Sequence, residues 1–404
     1  MTIRHLYPAV EPSLNLDFAN SKKLDSRITF TRGSTATYTD ESGIIRTAAA
    51  NEARFDHDTD GNSLGLLIEE SRTNLFTHSQ DFSTWIMNNQ SVTANATTAP
   101  DSTITAYKLV ESNASEFHRI SISINPTGSH TMTVFAKAAE RDILTLIPAS
   151  TAGGAQPVYF DLTNGTISAS LGSATSASIQ ALPNGWYRCS VTDSMSGFGF
   201  PFLGVAQTSG TQSYQGDGTS GIYIWGAQLE AGSFPTSYIP TSGSTVTRSA
   251  DVASITGTNF SSWYNTAQST WYAEVDQLYI NSSGNQEGVS SIFADRYSNT
   301  GPQRWREYSW RGTQGSTTII PAFNTPVTPE GSTAKVALAI DGVNAKMCVH
   351  GVLSSTGALG AYPGTAELRI GISPRLLDNW VGHISRLTYY PVRLPDATLQ
   401  ALTL

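Results

Sequence analysis

Charge is scarce in this 404-residue chain: Asp, Glu, Lys and Arg together make up 14% of it. The 24 basic residues are outnumbered by 32 acidic ones, for a formal net charge of −8, and no Lys/Arg cluster supplies a local attraction. Nucleic acid and anionic membrane surfaces are therefore not expected as partners. Long apolar runs are missing too. No stretch approaches the roughly 20 residues of a spanning helix, so no membrane insertion is expected. Met1 to Val10 lacks the basic start and apolar run of a signal peptide, which points to a soluble product made in the cytoplasm. Cysteine is nearly absent. Cys189 and Cys348 each lie in an apolar strand of a different segment, as suits buried free thiols better than a disulfide. Neither Gly-x-Ser-x-Gly nor His-Glu-x-x-His occurs, and the seven histidines are scattered, so no nucleophile or zinc motif suggests an enzyme.

What is present is β-structure. Gly, Ser, Thr and Asn fill the spaces between short alternating apolar runs, a pattern of all-β surfaces rather than helical bundles. The clearest strands are Gly185-Trp186-Tyr187-Arg188-Cys189-Ser190-Val191 and Ile222-Tyr223-Ile224-Trp225-Gly226-Ala227-Gln228-Leu229-Glu230, the second stopped by the Gly and Pro of Ala231 to Thr241. Together they read as the closing edge of a sandwich. Further strands are expected at Leu14 to Phe18, Ile28 to Arg32, Thr35 to Tyr38, Leu64 to Glu69, Thr131 to Ala136, Val158 to Leu162, Thr270 to Val275, Lys335 to Ile340, Lys346 to His350, Glu367 to Ile372 and Gly382 to Tyr390. The length suits more than one core. Three segments follow: residues 1–70, an N-terminal arm and β-rich anchoring segment; 71–245, a jelly roll ending in a Ser/Thr/Gly-rich linker from Pro240 to about Ser249; and 246–404, a second sandwich. Trp186 and Trp225 read as core, whereas Trp85, Trp263 and Trp380 stay undecided.

The two aromatic strands with Ala231 to Thr241, together with Phe30-Thr31-Arg32-Gly33-Ser34-Thr35-Ala36-Thr37-Tyr38 and Gly65 to Leu75, resemble virion proteins of tailed phages and phage-like particles. Those are head spikes, head fibres and tail fibres with a carbohydrate-binding-module-like jelly roll. Lys335 to Ile340, Leu368-Arg369-Ile370-Gly371 and Gly382 to Pro391 resemble a concanavalin A-like (laminin-G-like) sandwich. The resemblance implies an all-β virion structural protein in a head fibre, capsid decoration or tail fibre. Its partners would be other virion proteins, a host cell-surface glycan and further copies of itself, a homotrimer being expected. Binding without chemistry is the leading expectation. A glycan-degrading tailspike-like enzyme and a ligand-free cement or adaptor protein are the alternatives.

Three constellations bear on chemistry. Glu274-Val275-Asp276-Gln277-Leu278 is an incomplete Glu-x-Asp-x-Glu glycanase motif; Leu278 replaces the third acid, so it reads as an edge or surface strand with solvated carboxylates. Asp56-x-Asp58-x-Asp60-Gly61 copies the start of a calcium loop, but Leu67 stands where the bidentate Glu belongs. A structural turn is the main reading, adventitious calcium the other. No metal or cofactor is expected to be required. The third is Arg296 to Arg311, read as a hairpin around Asn299 to Pro302. In its second arm Arg304, Arg306, Tyr308 and Trp310 share one face and Trp305 and Glu307 the other. Flat aromatic rings suit the apolar faces of sugars and Arg suits their hydroxyls or acidic groups. Arg306, Tyr308, Trp310 and Trp305 are thus the candidate carbohydrate contacts, with core or subunit interface as the competing use.

Overall fold

The computed structural model describes residues 10–148, 157–167, 174, 176–211, 213–277, 290–291, 293–295, 301–306, 309–314, 317–324, 333–359, 367–371 and 380–404. The chain is all-β. Its described α-helices are the short Phe18–Ser21 and Thr258–Ser261 and the eight-residue Asp396–Thr403.

The middle segment is a two-sheet antiparallel sandwich. One sheet runs in the order Ser176–Ala181, Trp186–Ser196, Thr127–Ala138, Gly221–Ala231, Ala106–Glu111, Gln90–Thr97. The other runs Thr166–Ile167, Val158–Asp161, Ile143–Ile147, Phe202–Ala206, His118–Ser121, Ile86–Asn88. Alternation sends Met132, Val134 and Ala136, Cys189 and Val191, and Ile222 and Ile224 inward to meet Leu144, Leu146, Leu203 and Val205, as a sandwich core requires. The two aromatic strands expected to close an edge instead flank the central strand Thr127–Ala138 on either side. Their outward residues are large because another layer covers them. Trp186, Trp225 and Phe135 form a separate cluster with Tyr238 outside the sheet.

That layer is the Ala231 to Thr241 segment, folded back over its own strand. Gln228 accepts from the Ile239 N–H at 2.7 Å, and Glu230 accepts from the Thr236 N–H and hydroxyl at 2.8 and 2.6 Å. The two side chains thus supply partners that a sheet would otherwise give the loop backbone. Tyr238 packs on Trp225 with centroids 4.9 Å apart. The close approach requires Gly226, which sits at φ +61° in the bulge opposite Thr133 and Phe135; a Cβ there would lie 3.0 Å from the Phe135 ring.

The last segment builds a second sandwich, and the first segment belongs to it. Ser269–Gln277 lies between Ala334–Ile340 and Gly382–Tyr390, and the far side of Gly382–Tyr390 takes both Ser63–Ile68 and Leu14–Asp17. Thr29–Thr31 joins Val252–Thr256, Glu367–Ile370 and Phe293–Asp295 in the facing sheet. Leu14, Leu16, Phe18, Phe30, Leu66 and Ile68 share one core with Trp271, Val336, Ile370, Trp380 and Tyr389. The expected separate N-terminal anchoring segment is therefore corrected: its strands are too short and too apolar on one face to stand alone, and they complete the C-terminal sandwich. The linker expected from Pro240 to Ser249 is corrected as well. Val246–Arg248 pairs with Arg72–Asn74, and Arg248 is fully buried. Trp85, Trp263 and Trp380 are all core residues, and Cys189 and Cys348 are buried free thiols.

Candidate functional site

The two sandwiches meet around a buried ionic cluster. Arg54 bridges Glu69 at 2.7 Å and Asp251 at 2.5 Å; Arg32 reaches Asp251 at 3.0 Å and Arg248 reaches Glu69 at 3.0 Å, with every one of these side chains fully enclosed. Glu69 also accepts from the Ser237 N–H and hydroxyl at 2.7 and 2.6 Å, which ties the folded-back loop of the jelly roll to the C-terminal sandwich. Burial alone would raise the Glu69 carboxyl. Arg248 and Arg54, with the Ser237 bonds, outweigh it and hold the carboxyl well below the usual carboxylate range. Burial would lower Arg54, but the carboxylates of Asp251 and Glu69 hold it above its ordinary value.

Beside this cluster the outer faces of the two sandwiches enclose a cleft of about 690 Å³. One wall is the jelly-roll sheet, with Ser176, Ser178 and Gln180 on its edge strand and Arg188, Ser190 and Thr192 on the next. These are the outward positions of strands whose inward positions fill the core, so the period of two places them. The other wall carries Asp56, Leu67, Asp276 and His383, with Thr37 to Thr39 and residues 233–238 closing the ends. Hydroxyls dominate the jelly-roll wall. Ser178 and Ser190 share a hydrogen bond at 2.7 Å, and so do Thr131 and Thr192.

On the sandwich wall His383 is clamped by two carboxylates. Its Nδ1 lies 2.8 Å from Asp276 Oδ1 and its Nε2 3.0 Å from Asp56 Oδ2. Burial would lower its pKa, but the charge and hydrogen bond of Asp276 and the bond to Asp56 push it up to about 10. His383 is thus an imidazolium with both N–H groups donated, a staple between the N-terminal and C-terminal strands. The edge or surface reading of Glu274 and Asp276 is corrected here. Their strand is central in its sheet, Asp276 is buried against His383, and Glu274 accepts from the Tyr272 hydroxyl at 2.6 Å. Sequence spacing cannot distinguish a central strand from an edge, because alternation is the same in both.

The Asp56 to Asn62 run is a hairpin turn between Phe55–His57 and Ser63–Ile68, with Gly61 at φ +80°. Asp58 accepts from the Asp60 and Asn62 N–H groups at 2.9 and 2.8 Å, while Asp56 turns away to Thr39 N–H and His383. Among the described residues no group of three or more acidic, His or Cys side chains is placed to hold a metal.

Arg188 is the cation of the jelly-roll wall. Its Nη2 donates to the Thr236 carbonyl and its guanidinium stands 5.6 Å from the Phe135 ring centroid. Nε is buried with no hydrogen-bond partner. Burial drags its pKa below the ordinary arginine value, with Glu230 and Glu69 offsetting only part of this; an arginine nonetheless stays charged. Sequence reading had Arg188 as one residue of a strand. The signal available was a lone charge amid Trp, Tyr, Cys and Val, and it could not say which surface that charge would face.

Three of the four sequence candidates lie elsewhere, in a sheet of Ser290–Ser291, Gly301–Arg306, Ser309–Gln314 and Thr317–Asn324. Trp305 and Arg306 end one strand and Trp310 stands second in the next; Tyr308 lies outside the described residues. Ser290 and Ser291 pair antiparallel with Arg304 and Gln303, so the chain reverses ahead of this strand, and Arg296 to Thr300 lie outside the described residues. The expected second arm is divided: Gly301 and Pro302 pair with Thr313 and Gly312, and Arg306 pairs with Ser309, so the chain reverses again between Arg306 and Ser309. Arg306 and Trp310 therefore occupy neighbouring strands, not one arm.

No family model and no curated protein matches the chain. Solved structures to which it is similar include the CBM40 of the Ruminococcus gnavus IT-sialidase bound to α2,3-sialyllactose, at 16% identity and TM-score 0.28 over 35% of this chain and 84% of that one. Domain 4 of an extracellular arabinanase from Geobacillus stearothermophilus, in complex with arabinotriose, matches at 14% identity and TM-score 0.29 over 38% of this chain and 73% of that one. Trypanosoma rangeli sialidase matches at 12% identity and TM-score 0.30, over 74% of this chain and 60% of that one. The class that fold and site define is a two-sandwich, all-β protein with a polar cleft at the junction.

Proposed function

We propose that this chain is a phage virion structural protein, in a head fibre, capsid decoration or tail fibre, that contacts host surface polysaccharide by binding only. The observation that carries the binding part is the junction cleft. Its volume of about 690 Å³ falls within the roughly 300–1,000 Å³ typical of small-ligand sites, and pockets favour domain interfaces. Its hydroxyl-rich wall with a cation suits a polyhydroxylated ligand, and few of its groups are free for acid–base work. His383 has both nitrogens engaged, Asp56 and Asp276 are spent on it, and Asp58 serves the turn. The aromatic and Arg run from Trp305 through Arg306 and Tyr308 to Trp310 is proposed as a second sugar contact. The virion assignment rests on the sequence resemblance, and a homotrimer would multiply weak sites into avidity.

The test is binding of the purified chain to polysaccharide from candidate hosts, with reducing ends measured in parallel. Binding without release of reducing ends is expected; release would favour the glycan-degrading reading, and no binding would favour a cement protein. Labelled virion images that fail to show the chain on the particle would remove the virion assignment, and light scattering that gave a stable monomer would remove the trimer.

A further inference from the structure

The cleft leaves one charge unanswered. Buried charges are normally paired, because the desolvation of an unpaired ion costs far more than that of a neutral group. The Arg, Asp and Glu residues next to the cleft obey this rule: Arg32, Arg54 and Arg248 share Asp251 and Glu69, and His383 lies between two aspartates. Arg188 does not. Its one hydrogen-bond acceptor among the described residues is the neutral Thr236 carbonyl, and its Nε is buried and unsatisfied. Glu230 offsets part of the cost of this charge, but its oxygens already accept from Gln228 and from both donors of Thr236, so it gives Arg188 no hydrogen bond. Nη1 is the remaining donor of the fork; it is neither bonded nor among the enclosed atoms, and Arg188 lines the cleft.

A guanidinium in that state is a site for an anion, since its fork matches a carboxylate and such charge-assisted bonds are the strong ones. The rest of the cleft selects what carries the carboxylate. The jelly-roll wall around Arg188 offers Ser178, Ser190 and Thr192, which bond hydroxyls. The opposite wall, two aspartates around one imidazolium, retains a net negative charge, so it accepts hydroxyl donors and repels a second anionic group. Resting on the glycan-binding reading above, we infer that the cleft takes a sugar bearing a single carboxylate, an acidic glycan residue, oriented with the carboxylate on Arg188 and ring hydroxyls toward Asp56 and Asp276.

The probe is a panel of oligosaccharides ending in uronic or sialic acids, each beside its carboxyl-reduced counterpart, applied to the full chain. Wild type should prefer an acidic member over its reduced partner by about tenfold or more, the scale of a hydrogen bond to a charged group. Arg188→Gln should bind both members alike, and Arg188→Lys should keep part of the preference. Arg188 gives the fold one hydrogen bond to the Thr236 carbonyl and a contact with the Phe135 ring, so the ligand-free Arg188→Gln protein should unfold cooperatively at a midpoint within a few degrees of wild type; a large drop would mean that Arg188 is a structural residue and would overturn the assignment. Wild type that bound each pair equally, or favoured the reduced member, would refute the acidic ligand while leaving glycan binding intact. Wild type that bound no member of either kind, and no host polysaccharide, would remove the glycan reading itself and this inference with it. Should Arg188→Gln fail to fold, the assignment of the carboxylate to Arg188 falls with it, and the wild-type comparison within each pair decides only whether the ligand is acidic.

Discussion

Replacing Glu69 by Ala tests whether the ionic cluster holds the two sandwiches together. Glu69 is fully enclosed, and its carboxylate receives Arg54 at 2.7 Å, Arg248 at 3.0 Å and both donors of Ser237. Truncation leaves Arg248 without a carboxylate partner in the cluster and Arg54 with Asp251 alone. Removing one partner of a buried pair costs about 3–5 kcal/mol, chiefly because the other charge stays buried and uncompensated. No discount for solvent screening applies, since all four charged side chains have zero exposure. The midpoint of the cooperative unit containing the junction should fall by on the order of 10 °C, measured by calorimetry at pH 7. The pH dependence supplies an independent check. The Glu69 carboxyl is depressed in the folded state, so its contribution is present above its unfolded value near 4.5 and is lost as pH falls through the folded value. Glu69→Ala should therefore lose less stability than wild type on acidification below pH 4.5. A loss under about 1 kcal/mol, the range of exposed pairs, or an unchanged acid slope would refute the reasoning.

His383→Asn should act at the opposite end of the pH scale. The folded pKa of His383 is raised from 6.5 to about 10, so its staple is fully present below pH 6.5 and is lost as pH rises through about 10. Wild-type melting temperature should decline across that window, and the variant should start lower and show a flatter line; parallel lines would sink the assignment. Trp310→Ala probes the second proposed contact, where loss of one aromatic platform should weaken polysaccharide binding by about 1–3 kcal/mol with the fold intact. Destabilisation or disassembly with unchanged glycan binding would make Trp310 structural instead.

Strand positions were legible because alternation is a local property. Trp186 to Val191, Ile222 to Glu230, Lys335 to Ile340 and Gly382 to Tyr390 each fall within an observed strand. The sequence by itself therefore determined an all-β chain with more than one core, two buried thiols, and a turn within Asp56 to Asn62. It did not determine which strands are neighbours. Pairing of Ser63–Ile68 with Gly382–Tyr390 joins residues more than 300 positions apart, and nothing in either run names the other. Long-range pairing also decided every charge that matters here. Arg32 and Glu69 end expected strands and Arg248 lies in the expected linker; nothing in the sequence joins them to Arg54 and Asp251, and the five become a buried network only when the first segment, the loop of the jelly roll and the supposed linker converge. Asp56, Asp276 and His383 come from three distant strands, and Arg188 is one charge in an otherwise ordinary strand. Whether such a group is solvated, paired or left facing a cleft depends on what the fold packs against it, and only the tertiary structure carries that information.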